Sequence, residues 1–214
     1  MKLLLFEGVA TTGKSTIEAE VLRLCETKNR PAILYHEDQT LIPLLGDKSV
    51  QASLELQNTV LGQIEQEKHD VVLVDRFLLS HLERTNGDLN DFAVVRDKLV
   101  DLEARIIFLQ IDDQAFRPRL KDALARRAQK FSDHVMAKGG ADVMLNKYVE
   151  QQQTMLKLLP TLGLSTCVFD TTNLNFIEIA EQITEKYLFN RREGPLSQEI
   201  ALEMPTPKTL WLKK

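Results

Sequence analysis

The sequence predicts an α/β fold, a parallel sheet covered by helices on both faces. Three observations predict it. Short, continuous apolar runs recur along the chain, longer helical patterns separate them, and the first run leads into a glycine-bearing loop that opens a helix. With 214 residues, 43% of them hydrophobic, the chain is long enough for one sizeable core.

Five runs read as buried strands: KLLLFE at 2–7, AILYH at 32–36, VVLVD at 71–75, RIIFLQI at 105–111 and STCVFD at 165–170. Each is short, rich in branched or aromatic side chains and free of the polar alternation of a half-exposed strand. Helical spacing of apolar residues places helices at about 14–28, 49–68, 89–103, 113–129, 142–159 and 174–189. Residues 1–190 form one domain in this reading. Residues 191–214, which hold three of the seven prolines and the only Trp, form a C-terminal extension.

Composition narrows the function classes. There are 27 basic and 31 acidic residues, a net charge of −4, so no concentrated basic face argues for nucleic acid. No apolar run approaches the roughly 20 residues that span a bilayer. Cys25 and Cys167 lack metal-ligand spacing and read as small apolar residues. The opening MKLLLF runs straight into a loop and helix pattern, and a cytoplasmic protein without a membrane partner is the expectation.

Residues 8–15 read G-x-x-x-x-G-K-S, the spacing of a phosphate-binding loop. The chemistry needs close backbone approach to an anion, which Gly8 and Gly13 permit, with Thr11 and Thr12 in the body of the loop. The positive end of the following helix faces the same place. Lys14 reaches the terminal phosphates, Thr16 extends the helix start, and the Ser15 hydroxyl is a ligand for Mg²⁺. Asp75 closes the third apolar run, where a carboxylate holds Mg²⁺ or its waters. Neither an N-K-x-D motif (NKYV at 146–149 lacks the Asp) nor an L-S-G-G-Q signature occurs, which argues against a GTPase and a transporter ATPase. The stretch FRPRLKDALARRAQK carries Arg117, Arg119, Arg126 and Arg127 and only one acid, Asp122, which suits a lid over phosphates.

Together FEGVATTGKST, the Asp-Arg pair in VVLVDRFLLS with a Ser four residues after Arg76, the arginine-rich segment after FLQID and the closing VFDTTNLNFIEIAEQI resemble the thymidylate kinase and deoxynucleoside kinase group. The resemblance runs from about residue 2 to 188. It implies a P-loop NTPase fold, with a five-stranded parallel sheet in order 2-3-1-4-5 and a helical lid at about 117–140. It also implies phosphoryl transfer from ATP with Mg²⁺ to a nucleoside or nucleotide, and often a homodimer. By the same resemblance, Gly8, Gly13, Lys14, Ser15 and Thr16 hold the ATP phosphates. Asp75 and Arg76 face the transferred group, and Arg119, Arg126 and Arg127 belong to the lid. Asp170, Thr171, Thr172 and Asn173 flank the adenine. Glu37, or its neighbour Asp38, accepts the proton of the attacking hydroxyl; in an extended segment the two point to opposite faces.

The chain departs from the group at three places. Thr11 stands where a Gly is usual, and positive φ at that position strains a β-branched residue. YHEDQT lacks the Arg and Pro of the group's acidic segment. The helix at 49–68 has no arginine; Gln57 and Asn58 remain to meet a base edge, although on a polar helix each is expected to face water. Among His36, His69, His81 and His134, only His36 lies near the expected site. With Arg76 the only cation left at the acceptor end, and with Arg84, Arg96 and Lys48 not aimed there by spacing, a neutral nucleoside-like acceptor is expected over a monophosphate. The alternatives are a kinase of a non-nucleoside alcohol, such as an antibiotic or sugar, and a non-catalytic nucleotide-binding regulator.

Overall fold

A computed structural model describes residues 1–44, 46–126 and 129–189. Five strands, β1 (Lys2–Glu7), β2 (Ala32–Tyr35), β3 (Val71–Asp75), β4 (Arg105–Gln110) and β5 (Ser165–Asp170), form one sheet in the order β2-β3-β1-β4-β5. Every neighbouring pair is parallel. The sheet order and the α/β class agree with the sequence expectation.

The apolar runs are continuous because both faces of each strand are buried. Leu3 and Leu5 of β1, Val72 and Val74 of β3, and Ile106 and Phe108 of β4 pack into one core. Their alternates, Leu4 and Phe6, Val71 and Leu73, Ile107 and Leu109, pack into a second core on the opposite face. Helices α1 (Lys14–Thr27) and α9 (Phe176–Ile183) cover the second core through Ile17, Val21, Cys25, Ile179 and Ile183. The first core is covered by α3 (Val50–Ile64), α4 (Leu78–Thr85), α5 (Ala93–Asp101) and α8 (Ala141–Leu158). The remaining helices are α2 (Glu37–Thr40), α6 (Phe116–Arg126) and α7 (Gln129–Ala137).

Several boundaries differ from the sequence reading. Helix α4 has no counterpart there, because Leu78 to Leu82 are all buried and include Ser80 and His81, so no apolar stripe marks it. The helix expected from residue 89 begins at Ala93, since Asp88 and Asp91 bond nearby backbone N–H groups and hold a turn. The helix expected at 113–129 starts as a 3₁₀ turn, Asp113–Ala115, and α6 ends at Arg126. The last helix passes into a π-helical turn at Thr184–Phe189. Cys25 is buried as expected, whereas Cys167 is only partly so and contacts the Tyr187 hydroxyl. Arg127 and residues 191–214, the expected extension, lie outside the described residues. No helix among the described residues is long and apolar enough to cross a membrane.

Candidate active site

The register aligns Phe6 with Asp75, so the chain leaves β1 and β3 at the same edge of the sheet, the carboxyl edge where open α/β sheets take their ligands. The loop after β1 turns there into α1. Gly8 has φ 133°, and a Cβ on it would run into the carbonyl oxygen of Leu109. Gly13 has φ 91°, and a side chain there would collide with the Phe176 ring. Both positions therefore require glycine. Thr12 donates to the Val9 carbonyl at 3.0 Å. Ser15 and Thr16 are exposed on the first turn of α1. Thr11 takes φ 71°, and its hydroxyl is buried without a partner among the described residues. The loop thus keeps a left-handed residue where the chain has no glycine, at about 1–2 kcal/mol of strain.

Lys14 is more enclosed than a solvent-facing loop position suggests, with 6% of its surface exposed. Its Nζ donates to the carbonyls of Gly8 at 2.9 Å and Val9 at 3.2 Å. Burial, aided by the charge of Arg76, lowers its pKa to about 8 against the pull of Asp75, Glu37 and Glu18.

Arg76 follows β3 with φ 58°, and its N–H donates to the Phe6 carbonyl at 2.9 Å. Its Nε lies 2.9 Å from Oε1 of Glu37, an ion pair whose N–H is not aligned as a hydrogen bond. Glu37 is not on an extended segment: it opens the single turn α2, so Glu37 and Asp38 do not lie on opposite faces of a strand. The Thr40 hydroxyl anchors that turn on the Asp75 carbonyl at 2.5 Å. Asp75 is buried, its Oδ1 has no hydrogen-bond partner among the described residues, and burial raises its pKa against the charges of Lys14 and Arg76. A hard oxygen-seeking cation fits the chemistry of an orphaned carboxylate oxygen taken together with the exposed Ser15 hydroxyl. Among the described residues no three His, Cys, Asp or Glu side chains are grouped to hold a metal by themselves, so phosphate oxygens or water must complete the shell.

Residues that sequence reasoning passed over set this geometry. Glu7 is fully buried. It accepts from the N–H groups of Phe77 and Leu79 at 2.9 Å, from that of Ser80 at 3.3 Å, and from the Ser80 hydroxyl at 2.5 Å. It caps α4 and ties the phosphate-loop strand to the segment carrying Arg76. Burial raises its pKa, while the Ser80 and backbone donors and Arg76 act against that. The sequence signal was the Glu before Gly8 together with Ser80; their contact was not readable. His81, not His36, is the buried histidine beside this site. Its Nε2 faces the Thr40 carbonyl at 2.8 Å and so carries the proton, and burial lowers its pKa to about 4. Its Nδ1 has no partner among the described residues. His36 is exposed.

Helix α3 contradicts the expectation that Gln57 faces water. Gln57 is fully buried, as is Ser53 one turn earlier, and neither the amide of the one nor the hydroxyl of the other has a hydrogen-bond partner among the described residues. Asn58 is occupied, donating to the Leu54 carbonyl at 2.9 Å and accepting from Lys98 at 3.3 Å. Arg84 donates to the Asp47 carbonyl at 2.5 Å, Arg96 pairs with Asp97, and Lys48 is exposed.

Among the described residues, the expected lid arginine that reaches the loop is Arg119. Its guanidinium donates to the carbonyls of Thr171 and, at 3.4 Å each, of Thr172 and Thr11, and it lies over the Phe176 ring at 5.2 Å. It thereby joins the phosphate loop to residues 170–173. Those residues are pinned to β4: the Thr171 N–H donates to the Gln110 carbonyl, and Thr172 accepts from the Asp112 N–H at 2.9 Å. Asp170 accepts from the Thr172 N–H at 2.8 Å, and Asn173 is exposed beside them. Arg126 is not brought to the site; its side chain is 80% exposed and pairs with Asp122 on its own helix at 3.2 Å.

The chain is similar in structure to the YorR protein of Bacillus subtilis, solved in complex with phosphorylated GDP. The sequence identity is 18% and the TM-score 0.59, over 86% of this chain and 94% of that one. At that identity the likeness shows the fold alone. No protein-family model matches the chain, and no curated protein does.

Proposed function

We propose that the chain is an ATP-dependent phosphotransferase whose acceptor is a neutral, nucleoside-like alcohol. One observation carries the reading: Lys14, Glu37, Asp75 and Arg76, from three separate segments, lie close enough that their charges act on one another at the mouth of the phosphate loop. That is the equipment for moving a phosphoryl group by positioning and charge stabilisation. The loop backbone and Lys14 hold the ATP phosphates, and Ser15 and Asp75 would hold Mg²⁺, which would supply neutralisation of phosphate charge. The acceptor oxygen bonds to the γ-phosphorus as the bond to the β–γ bridging oxygen breaks, ADP leaves, and the hydroxyl proton passes to Glu37. Arg76 faces the moving group, and Arg126 and Arg127 act only as a lid closes. That the YorR neighbour on the same fold was solved with a phosphorylated nucleotide supports nucleotide binding by this chain.

The acceptor class follows from the helix that lacks arginine. The buried, unpartnered amide of Gln57 offers a donor and an acceptor side by side, the complement of a base edge. Leaving both unmet costs about 1–3 kcal/mol each, so a ligand that meets them gains directly. Among the described residues, the cation a dianionic monophosphate would meet there is Arg76, already paired with Glu37. Thr11, the residue that favours a regulator, holds a left-handed backbone, and the loop retains its form. The deciding experiment measures ADP release and kcat/KM for a panel of nucleosides, their 5′-monophosphates and non-nucleoside alcohols under the same Mg·ATP. Nucleosides are expected to lead. Preference for a monophosphate or a non-nucleoside alcohol removes the acceptor assignment, and binding without turnover on any acceptor removes the kinase.

A further inference from the structure

Glu18 has no place in the reaction described above, yet it is among the least exposed charged residues of the chain. Only 1% of its surface is accessible, and its Oε1 has no hydrogen-bond partner among the described residues. A buried carboxylate oxygen without a donor is a costly arrangement unless the acid holds its proton or a cation meets it. Helix geometry says where that cation sits. Glu18 follows Lys14 by four residues and Ser15 by three on α1. At about 100° per residue its side chain leaves the helix between those two, one turn further along the same face. Helix α1 packs against β3, which ends in Asp75, and the charges of Asp75, Lys14, Arg76 and Glu37 all act on Glu18. Asp75, 5% exposed, presents a second unpartnered carboxylate oxygen. The two protein cations of the cluster are engaged elsewhere, Lys14 with the Gly8 and Val9 carbonyls and Arg76 with Glu37.

We propose that Glu18 is the second carboxylate of the cation site, and that with Asp75 and the Ser15 hydroxyl it lets the chain bind one divalent cation before any nucleotide arrives. Two carboxylates and a hydroxyl are a hard, all-oxygen set of the kind that takes Mg²⁺ or Mn²⁺ with water completing the shell. A loop with one such acid depends on the nucleotide's phosphates to retain its metal; a second acid one helical turn behind the serine removes that dependence. The inference rests on the assignment of Ser15 and Asp75 to the cation, not on the identity of the acceptor.

The test is titration of the nucleotide-free full chain with Mn²⁺ alone, free Mn²⁺ being read by electron paramagnetic resonance, with melting temperatures in Mg²⁺ and in EDTA alongside. The wild type is expected to bind one Mn²⁺. Glu18→Gln is expected to weaken it about tenfold or more, the range seen when a carboxylate supporting a metal site is lost, and Asp75→Asn to weaken it similarly. In EDTA, Glu18→Gln is expected to melt at or above the wild-type temperature, because a neutral amide replaces a buried acid, and to lose the rise that Mg²⁺ gives the wild type. A wild type that binds no Mn²⁺ without nucleotide overturns the proposal. So does a Glu18→Gln chain that binds and responds like the wild type, which makes Glu18 a core acid only. Should Glu18→Gln fail to fold, Glu18→Asp, which keeps the charge on a shorter arm, is read in its place, and unchanged Mn²⁺ affinity in Asp75→Asn then counts against the site. Cation binding that depends on Glu18 in a chain inert toward every acceptor leaves this inference standing and the kinase reading fallen; transfer activity with nucleotide-free binding absent does the reverse.

Discussion

The two ends of the site are built differently. At the phosphate end, side chains serve the backbone: Lys14, Thr12 and Arg119 all donate to main-chain carbonyls of the loop or of residues 171–172. At the other end, on α3 and α4, Ser53, Gln57 and Nδ1 of His81 are buried with polar atoms that meet nothing among the described residues. The first region is braced by these side-chain-to-backbone bonds, and what it leaves unmet among the described residues is the Thr11 hydroxyl and single carboxylate oxygens of Asp75 and Glu18. The second leaves neutral amide, hydroxyl and imidazole groups unmet at a cost in stability, which under the proposed acceptor role would serve selection of one partner among many. The contrast teaches where substitutions strike function alone and where they exchange function for stability.

The largest expected effect tests the phosphate end. Lys14→Ala should lower turnover by about 10²–10³, the scale for losing one charge aimed at a transition state. The cores lie beneath it, so the melting temperature should move by only a few degrees. Turnover near wild type in that variant removes the kinase reading.

Next, Gln57→Leu at the unsatisfied end should do two opposite things. It should raise stability by about 1–3 kcal/mol, since an apolar group replaces an amide without partners. It should also lower kcat/KM for the acceptor about 100-fold while leaving KM for ATP unchanged, the range for a missing buried hydrogen-bond partner. Denaturant midpoints and steady-state kinetics on one preparation read both. A variant that is less stable and equally active would erase the distinction between the two ends.

His81 supplies a pH dependence at the same end. Its folded pKa is about 4 and its ordinary value 6.5. Between those values the unfolded chain binds the proton and the folded chain does not, so stability falls as pH drops from 6.5 toward 4. The loss amounts to about 3 kcal/mol at the low end. Glu18, raised to about 8 chiefly by burial, acts with the opposite sign: its contribution is full below its ordinary 4.5 and is lost as pH rises through 8. The difference between wild type and His81→Gln isolates the histidine, and the fall in urea midpoint from pH 7 to 4.5 should be smaller in the variant than in the wild type, or reversed where Glu18 prevails. An unchanged pH slope there would place the titration elsewhere.

The smallest effect returns to the phosphate loop. Thr11→Gly should raise stability by about 1 kcal/mol, because relief of a β-branched residue at positive φ slightly outweighs the added freedom of glycine when unfolded. A decrease, read by melting temperature, would mean that the Thr11 side chain supports the loop.

What the sequence alone determined is whatever a local pattern controls. The parallel, doubly covered sheet came from the apolar runs, its strand order only from the resemblance that the motifs carry, and Gly8, Gly13, Lys14 and Ser15 needed only their spacing, since one loop and one helical turn place them. Tertiary structure decided the contacts between segments far apart in the chain. Glu7 meets Ser80 across 73 positions, and Thr40 meets Asp75 across 35. Gln57 faces the interior only because α3 lies against the first core, and His81 meets the Thr40 carbonyl only because the fold brings α2 to α4. Arg119 and Arg126, seven residues apart in one arginine-rich stretch, part company because one meets the Phe176 ring and the other meets Asp122 and solvent. The physical reason is common to all of these. Periodicity records which residue types a helix or strand tolerates, while the orientation, burial and partner of a polar side chain depend on the element packed against it.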